Sequence, residues 1–329
     1  MDSTFRRTPP ISLQDLKMGI LKGNRVSLSR AITLIESKRT DDRNLAAQLI
    51  DELLPNTGRS IRIGITGVPG VGKSSFIEVF GSMLTRAKKK VAVLSIDPTS
   101  SRTKGSILGD KTRMELLSKD ENAYIRPSSS GTSLGGVASN TRETILMCEA
   151  AGYDVIIVET VGVGQSETMV KDMVDYFLLL MLAGGGDELQ GIKRGIMEMA
   201  DHILINKADG ENLIAAKRAS KEYQNAVHLF PRNEANWVVP VATCSAMNQS
   251  GINEAWSKIE EYMFHTKQGW FHQNRESQMI KWFHERIQSK LEGQFYFQRE
   301  VKEKISEMEG MIKAKKTSVR KAVEILFNP

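Results

Sequence analysis

The fold is decided by one stretch of the chain, Gly67-Val68-Pro69-Gly70-Val71-Gly72-Lys73-Ser74. It follows an apolar run over 61–66 and precedes an amphipathic run over 75–80, so the pattern predicts a strand, a loop and a helix. A glycine, four residues and then Gly-Lys-Ser in that setting is the P-loop pattern. Its glycines let the backbone curl so that N–H groups point at phosphate oxygens, and the helix adds the positive end of its dipole. The stretch therefore predicts a nucleotide-binding protein.

Each part of this stretch has a predicted role. The Lys73 ammonium is expected to reach the β- and γ-phosphates, and the Ser74 hydroxyl to ligate Mg²⁺. The run as a whole forms the phosphate cradle, so the predicted nucleotide contacts are Gly67, Val68, Pro69, Gly70, Val71, Gly72, Lys73, Ser74 and Ser75. The alternative is a glycine-rich turn that binds nothing, and the flanking strand and helix argue against it.

Composition places the chain among ordinary globular proteins. Its 329 residues are 40% hydrophobic and 26% charged, with a net charge of +6. Basic and acidic residues are interspersed, and the densest basic run, 86–90, ends a predicted helix, so we expect no nucleic-acid partner. The chain has no membrane-length apolar run, no secretory signal at its start, and no metal-spaced pair formed by Cys148 and Cys244. We therefore expect a cytoplasmic protein that makes no membrane contact.

The order of apolar and amphipathic segments predicts an α/β fold. Predicted strands cover 61–66, 91–96, 154–159, 177–182, 202–206 and 238–243. Helical segments between them begin near Ser74, Asn140, Glu188, Glu211 and Ser250. Buried strands that alternate with helices indicate a mostly parallel sheet with helices on both faces, as in P-loop NTPases. Helical periodicity over 11–54, with a cap expected at Ser27, adds an N-terminal helical extension.

A second motif, Asn206-Lys207-Ala208-Asp209, begins at the last residue of the predicted strand over 202–206. The Asp209 carboxylate is expected to accept hydrogen bonds from the ring N–H and exocyclic amine of guanine, a pattern that adenine lacks. Asn206 is expected to bond the other edge of the purine, and the Lys207 stem to lie along the base. A second strand-end run completes the base pocket with Ser245, Ala246 and Met247. Such a tetrapeptide often only caps a helix, but its position downstream of a P-loop favours GTP and GDP over ATP.

Acidic residues at strand ends predict a Mg²⁺ site. Asp97 and Glu159 each close a strand, and parallel strands bring these ends to one edge of the sheet. Gly162 is expected to sense the γ-phosphate through its N–H, and the polar run over 105–113 suits a switch loop. The predicted metal set is Ser74, Asp97, Asp110 and Glu159. For Asp110 the alternative is a solvated loop residue.

Three runs resemble the MeaB/ArgK family of P-loop GTPases: Val158–Glu167, Asp97–Ser100 and Gly184–Lys193. The resemblance covers nearly the whole chain. Members are GTPase chaperones of adenosylcobalamin-dependent methylmalonyl-CoA mutase; they gate cofactor delivery by an adenosyltransferase and protect or reactivate the mutase. The resemblance implies that both enzymes are partners, and it implies the phosphate and metal roles given above. It also implies that Asp187–Lys193 is a further switch that moves when the mutase is bound.

One position differs from Ras-like GTPases. Val163 stands where those enzymes place a water-orienting glutamine, and an apolar side chain cannot position a nucleophile. We therefore predict slow intrinsic hydrolysis that a partner stimulates. Lys193 is the candidate for stabilising developing phosphate charge, so the predicted catalytic residues are Lys73, Asp97, Glu159 and Lys193.

Helical periodicity resumes after residue 266. It places two apolar stripes on the tail, one of Ile280, Phe283, Ile287 and Leu291 and one of Val301, Ile305, Met308 and Ile312. Such stripes usually pack within their own chain, but this tail lies outside the sheet, so we expect a homodimer. The predicted domains are an N-terminal helical extension over 1–58, a P-loop GTPase domain over 59–265 and a C-terminal helical dimerisation arm over 266–329.

Three other functions remain open. A nickel-insertion GTPase would need clustered metal ligands, and the 5 histidines are scattered. A kinase or ATPase that acts with lysine-arginine-ornithine transport binding proteins is disfavoured by the guanine motif and by the absence of a signal peptide. An RNA- or membrane-associated switch would need a Met-rich or basic groove, and the 15 methionines are spread along the chain.

Overall fold

The computed structural model describes residues 12–96, 114–127, 134–160, 166–184 and 190–327. The chain divides into two compact units, Met1–Glu276 and Ser277–Pro329. None of the helices in the described ranges is both long and apolar enough to cross a membrane.

The larger unit is built on a single sheet. Its strands are β1 (Ile61–Gly67), β2 (Val91–Ile96), β3 (Ala123–Arg126), β4 (Val155–Thr160), β5 (Tyr176–Leu182), β6 (His202–Asn206) and β7 (Val241–Thr243). The 7 strands lie in the order β3-β2-β4-β1-β5-β6-β7, and every neighbouring pair is parallel. The predicted α/β fold is therefore confirmed. The edge strand β3 escaped prediction because its four residues make no extended apolar run.

Helices cover both faces of this sheet. The N-terminal helices are α1 (Leu13–Leu21), α2 (Arg25–Glu36) and α3 (Thr40–Leu53). Those that alternate with the strands are α4 (Lys73–Arg86), α5 (Glu115–Lys119), α6 (Leu134–Ala150), α7 (Ser166–Lys171), α8 (Gln190–Met199), α9 (Leu213–Val227) and α10 (Ile252–Thr266).

The C-terminal helices are α11 (Trp270–Phe297), α12 (Arg299–Lys313) and α13 (Val319–Phe327).

Alternate residues of the central strands pack on opposite faces of the sheet, as β2 shows. On β2, Ala92 and Leu94 pack with the N-terminal helices and α6, whereas Val91 and Val93 pack with α4 and α10. Because both faces are covered, the central strands are apolar along their whole length, which is typical of parallel sheets.

Helix α6 begins at Leu134 rather than near Asn140 as predicted, and two other predicted boundaries were wrong for local reasons. Helix α2 begins at Arg25 rather than after Ser27, since the Asn24 side chain accepts hydrogen bonds from the N–H groups of Val26 (2.9 Å) and Ser27 (3.0 Å). Asparagine at this position satisfies N–H groups that the helix itself cannot pair. Strand β7 begins at Val241, because Pro240 has no N–H to donate to a sheet.

A buried ion network joins distant segments at the amino ends of β1 and β5. Arg275 forms two hydrogen bonds of 2.7 Å with the Asp175 carboxylate and donates to the carbonyls of Gly58 (2.8 Å) and Ser60 (2.7 Å). Asp175 is 3% exposed. A buried carboxylate needs such partners, since removal from water strongly penalises its charge.

We predict that Arg275→Ala lowers the free energy of unfolding by about 3 kcal/mol, because it leaves Asp175 buried with one hydrogen-bond donor among the described residues, the N–H of Arg62. Urea denaturation of the whole chain measures the change. Arg218→Ala is the matched control: this exposed arginine pairs with Glu222 on the surface of α9, and its loss should cost less than about 0.5 kcal/mol. Equal losses of unfolding free energy in the two variants would contradict the prediction that the buried network stabilises the fold.

A second buried ionisable group is His202, at the start of β6. Its side chain lies edge-on to the Tyr176 ring, with 6.2 Å between ring centroids, and neither ring nitrogen has a hydrogen-bond partner among the described residues. Burial lowers the pKa of His202 to about 3, and the positive charge of Lys258 adds a smaller effect in the same direction. The folded protein therefore holds this imidazole neutral.

The consequence is acid sensitivity. The unfolded chain takes up a proton at His202 below pH 6.5, while the folded chain does so only near pH 3, so stability falls as pH drops through this window. We predict a loss of about 2 kcal/mol from this residue between pH 7 and pH 5. His202→Phe should remove this contribution to the pH dependence of the free energy of unfolding. Urea denaturation at pH 7 and pH 5 measures that dependence. His228→Phe, at an exposed position, is the control, and identical slopes for His202→Phe and the parent would contradict the prediction.

Candidate nucleotide site

The P-loop lies between β1 and α4 in a conformation that requires glycine. Gly67, Gly70 and Gly72 have φ values of +155°, +76° and +93°. A Cβ atom at Gly67 would lie 2.4 Å from the Leu180 carbonyl oxygen, and one at Gly72 would lie 3.0 Å from the Asn206 side-chain nitrogen. Side chains at these positions would push the loop away from the sheet and strain its backbone. The loop is thus held as the curled cradle that phosphate binding needs.

Lys73 begins α4 and points back into this cradle. Its Nζ donates to the Gly67 carbonyl at 2.8 Å, and the residue is only 9% exposed. Burial lowers the pKa of Lys73, and the carboxylates of Glu159 and Glu167 oppose that shift. A buried ammonium with acidic neighbours and a loop carbonyl as its partner is pre-positioned to meet the phosphate groups of a nucleotide.

Ser74 and Glu159 meet at the carboxyl ends of β1 and β4. The Ser74 hydroxyl donates to Glu159 Oε1 at 3.4 Å, and Glu159 is 3% exposed. Beside them, the hydroxyls of Thr66 and Thr160 share a buried hydrogen bond of 2.8 Å that joins the same two strand ends. The structure therefore brings together two of the four predicted metal ligands, and both supply the oxygen atoms that Mg²⁺ prefers.

The guanine motif is tied directly to the P-loop. The Asn206 side-chain amide donates to the Val71 carbonyl at 2.8 Å, and its oxygen lies 3.5 Å from the Cys244 sulfur. Burial raises the pKa of the Cys244 thiol to about 12, so the thiol keeps its proton and donates it to this contact. Both ends of the Asn206 amide thus have protein partners, which makes Asn206 a link between the phosphate and base ends of the site.

The predicted base-recognition residues lie on two adjacent loops after β6 and β7. The Ser245 hydroxyl donates a hydrogen bond to the Asp209 carboxylate and accepts one from the Asn248 N–H at 3.1 Å. The Ala208 N–H donates to the Cys244 carbonyl at 3.0 Å, which holds the loops together. Asp209 itself is half-buried. Its carboxylate is therefore oriented by protein donors and still open on one side.

The remaining residues of this loop pair frame the base pocket. Lys207 is exposed with φ +58°, and its Cε would be 3.8 Å from a Cβ at Gly72, so its stem runs past the P-loop. Ala246 is half-buried, whereas Met247 is 85% exposed. Gly251 closes the second loop with φ +74°, where a Cβ would lie 2.4 Å from the Thr243 carbonyl oxygen.

Several predicted residues lie outside the described part of the chain. They are Asp97, Asp110, Gly162 and Val163, together with residues 187–189 of the predicted third switch. The other end of that switch, residues 190–193, forms the first turn of α8; the backbone of Lys193 is described there, and its side chain is not. The roles assigned to these residues stay predictions.

Sequence reasoning missed one residue of the site, Glu167. It lies in the first turn of α7, is 3% exposed, and acts electrostatically on Lys73. The available signal was an acidic residue placed five positions after Gly162 and just inside a short helix. That spacing does not reveal burial, which depends on how α7 packs against the sheet.

The site fits a guanine nucleotide better than it fits an unassisted metal ion. A guanine nucleotide needs the P-loop cradle, the buried Lys73 ammonium and the oriented Asp209 carboxylate. A metal ion bound by protein alone would need a group of three or more His, Cys, Asp or Glu side chains, and the described residues contain none. For Mg²⁺, Ser74 and Glu159 offer two oxygens and the phosphates would supply more.

Comparison with known proteins agrees with this geometry. Residues 28–300 match the family model described as methylmalonyl Co-A mutase-associated GTPase MeaB. The chain is 48% identical over 271 residues to "GTPase ArgK" of Escherichia coli, covering 82% of each chain. It is 44% identical over 323 residues to "Methylmalonic aciduria type A homolog, mitochondrial" of Mus musculus, covering 95% of this chain and 78% of that protein.

Among solved structures, the chain resembles one described as a LAO/AO transport system kinase. The TM-score is 0.76 with 36% identity, over 96% of this chain and 98% of the other. The similarity therefore extends beyond the nucleotide-binding core to nearly the whole chain.

Proposed function

The chain belongs to the MeaB family of methylmalonyl-CoA mutase-associated GTPases, and from that premise we propose that it is a chaperone of an adenosylcobalamin-dependent acyl-CoA mutase. The protein is a GTPase: its relatives are named as such, and its fold is that of P-loop NTPases. Its client is proposed to be methylmalonyl-CoA mutase, with GTP binding and hydrolysis gating the loading, protection or reactivation of that enzyme. The observation that carries the proposal is the match of residues 28–300 to a family named for this association.

The chain's own residues account for nucleotide binding. The P-loop backbone would hold the phosphates, with the Lys73 ammonium exchanging its bond to the Gly67 carbonyl for phosphate oxygens. Asp209 would accept hydrogen bonds from two N–H groups of guanine. Asn206, through its hydrogen bond to the Val71 carbonyl, would fix the position of the base-binding loop relative to the P-loop. Since an Asp left without its guanine donors would be costly, this arrangement supports selection of GTP over ATP.

Mg²⁺ is the proposed metal, held by Ser74 and Glu159 together with Asp97 and Asp110. When bound, it would neutralise charge on the transferred phosphate. Within the described residues, the Ser74–Glu159 pair and the ammonium of Lys73 are the groups that approach this point. Lys193 is proposed to complete the site when the mutase binds, which agrees with slow intrinsic hydrolysis that the partner stimulates.

A homodimer is proposed through the C-terminal helices. In the smaller unit and the helix leading into it, Ile280, Phe283, Ile287 and Leu291 of α11 are 60%, 60%, 41% and 61% exposed. These apolar side chains recur on one side of the helix, and a second copy of the chain would cover them symmetrically. Size-exclusion chromatography with light scattering of Phe283→Glu, against Glu285→Gln as control, tests whether this stripe holds a dimer together.

The proposed function is tested by GTP turnover, measured alone and with a purified adenosylcobalamin-dependent methylmalonyl-CoA mutase, with ATP in parallel. We expect stimulation by the mutase with GTP only. An unrelated CoA-dependent enzyme without cobalamin serves as the partner control. If the mutase does not change GTP turnover, the proposed client is wrong, whereas the GTPase activity still stands. The cobalamin adenosyltransferase, the second proposed partner, would then be tested in the same assay.

A further inference from the structure

A groove of about 540 Å³ opens between α2 and the end of β3, and it shares no residue with the nucleotide site. Its walls are the first turns of α2, Ser118 of α5 and the run from Tyr124 to Pro127. Volumes of this size are usual for small-molecule sites. The groove is therefore large enough for an organic ligand.

Its rim carries three arginines. Arg126 is paired with Glu36, and Arg25 donates to the backbone carbonyl of Asp120 at 3.3 Å. Arg30 is exposed and makes no hydrogen bond or ion pair with another residue in the described ranges. Two of the three guanidinium groups thus face the groove without a described carboxylate partner. Their planar fork of donors suits phosphate and carboxylate oxygens.

The lining of the groove also combines hydroxyls with apolar surface. The hydroxyls of Ser29 and Tyr124 lie 3.2 Å apart, and burial raises the pKa of Tyr124, so the phenol remains a donor. Beside them are Val26, which is 61% exposed, and Pro127. Such a lining accommodates an apolar group attached to an anion.

A smaller recess adjoins the groove and shares Arg126 and Pro127 with it. The recess is also lined by Ser95, whose hydroxyl is buried and has no hydrogen-bond partner in the described part of the chain. Buried hydroxyls without partners are costly, so this one points to a missing acceptor or donor. Ser95 pairs in register with Glu159 of the neighbouring strand, which brings the recess to within one strand of the nucleotide site.

We propose that this groove binds an organic phosphate, with Arg25 and Arg30 on the phosphate and the apolar side chains of Val26 and Pro127 beside the attached organic group. The two guanidinium groups without a described carboxylate partner, the hydroxyl donors and the concave volume favour a small phosphate ester over an acidic protein segment, which would need a longer charged surface. The proposal stands independently of the mutase.

The test uses the whole chain saturated with Mg²⁺ and GDP, so that the P-loop is occupied. Phenyl phosphate is titrated by calorimetry, with phenol as the probe that lacks the phosphate. We expect phenyl phosphate to bind, phenol not to bind, and Arg30→Gln to weaken binding about tenfold, since a hydrogen bond to a charged group contributes about 1.5 kcal/mol or more. The Arg25→Gln, Arg30→Gln double variant should weaken it further.

Arg43→Gln, which removes an exposed arginine of α3 outside the groove, is the matched control and should bind phenyl phosphate as the parent does. GTP turnover and melting temperature should be unchanged in all three variants, which shows that they fold. Equal binding by the parent and the double variant would overturn the proposal. So would binding of a hexaglutamate peptide without binding of phenyl phosphate, which would assign the groove to a protein partner.

Discussion

Replacing Asp209 by asparagine is expected to weaken GDP and GTP binding by about 10³-fold and to create affinity for xanthine nucleotides. The carboxylate can accept two N–H groups of guanine at once, whereas an asparagine amide would turn an N–H donor toward guanine's own exocyclic amine. Xanthine carries a carbonyl at that position and accepts the new donor. Calorimetric titration of GDP and XDP against the parent and Asp209→Asn measures both effects.

Two further variants test whether the effect on GDP binding comes from the oriented Asp209 carboxylate. Ser245→Ala removes the hydroxyl that holds the Asp209 carboxylate and should weaken GDP binding about tenfold, because the carboxylate loses one oriented partner. Glu211→Gln neutralises an exposed carboxylate two residues further along the chain and should change nothing. Unchanged GDP affinity in Asp209→Asn would remove the guanine assignment while leaving the P-loop in place.

Lys73→Ala is expected to lower GTP turnover by about 10³-fold, even with the mutase present. The Lys73 ammonium lies between the Gly67 carbonyl and two buried carboxylates, Glu159 and Glu167. Without the ammonium, those negative charges would face the phosphates directly. Single-turnover hydrolysis of radiolabelled GTP, at concentrations above the measured dissociation constant, separates the loss of rate from the loss of binding.

Lys217→Ala, at an exposed position of α9, is the matched lysine control and should turn over GTP at the parental rate. Lys73→Arg retains the charge but enlarges a side chain that is only 9% exposed, so it should recover little activity. Turnover in Lys73→Ala within tenfold of the parent would show that phosphate charge is stabilised elsewhere in the chain.

The central sheet and the nucleotide loops could be predicted from sequence because their signals are local. The P-loop glycines, the apolar run of β1 and the start of α4 lie within a few residues of one another, and each restricts the backbone strongly. The same holds for Asn206, the last residue of β6, and for Asp209, three residues after it. Parallel packing then places these strand ends together without further information.

The features that could not be predicted from sequence are contacts between residues far apart in the chain. Nothing near Asn206 in the sequence indicates that its amide binds Val71, 135 positions away. The burial of Glu167 beside Lys73 and the pairing of Arg275 with Asp175 are likewise products of tertiary packing. Periodicity and motif spacing carry no information about such pairs.

The Arg275 network also bears on where the chain could be divided. A protein ending at residue 265 would keep every residue proposed to contact nucleotide, yet it would lack the guanidinium that neutralises Asp175 and holds the carbonyls of Gly58 and Ser60. The segment entering β1 would then lose the bonds that fix it to a helix more than 200 positions later. We therefore expect the first turns of α11 to stabilise the GTPase core, so a truncation meant to isolate that core should retain them.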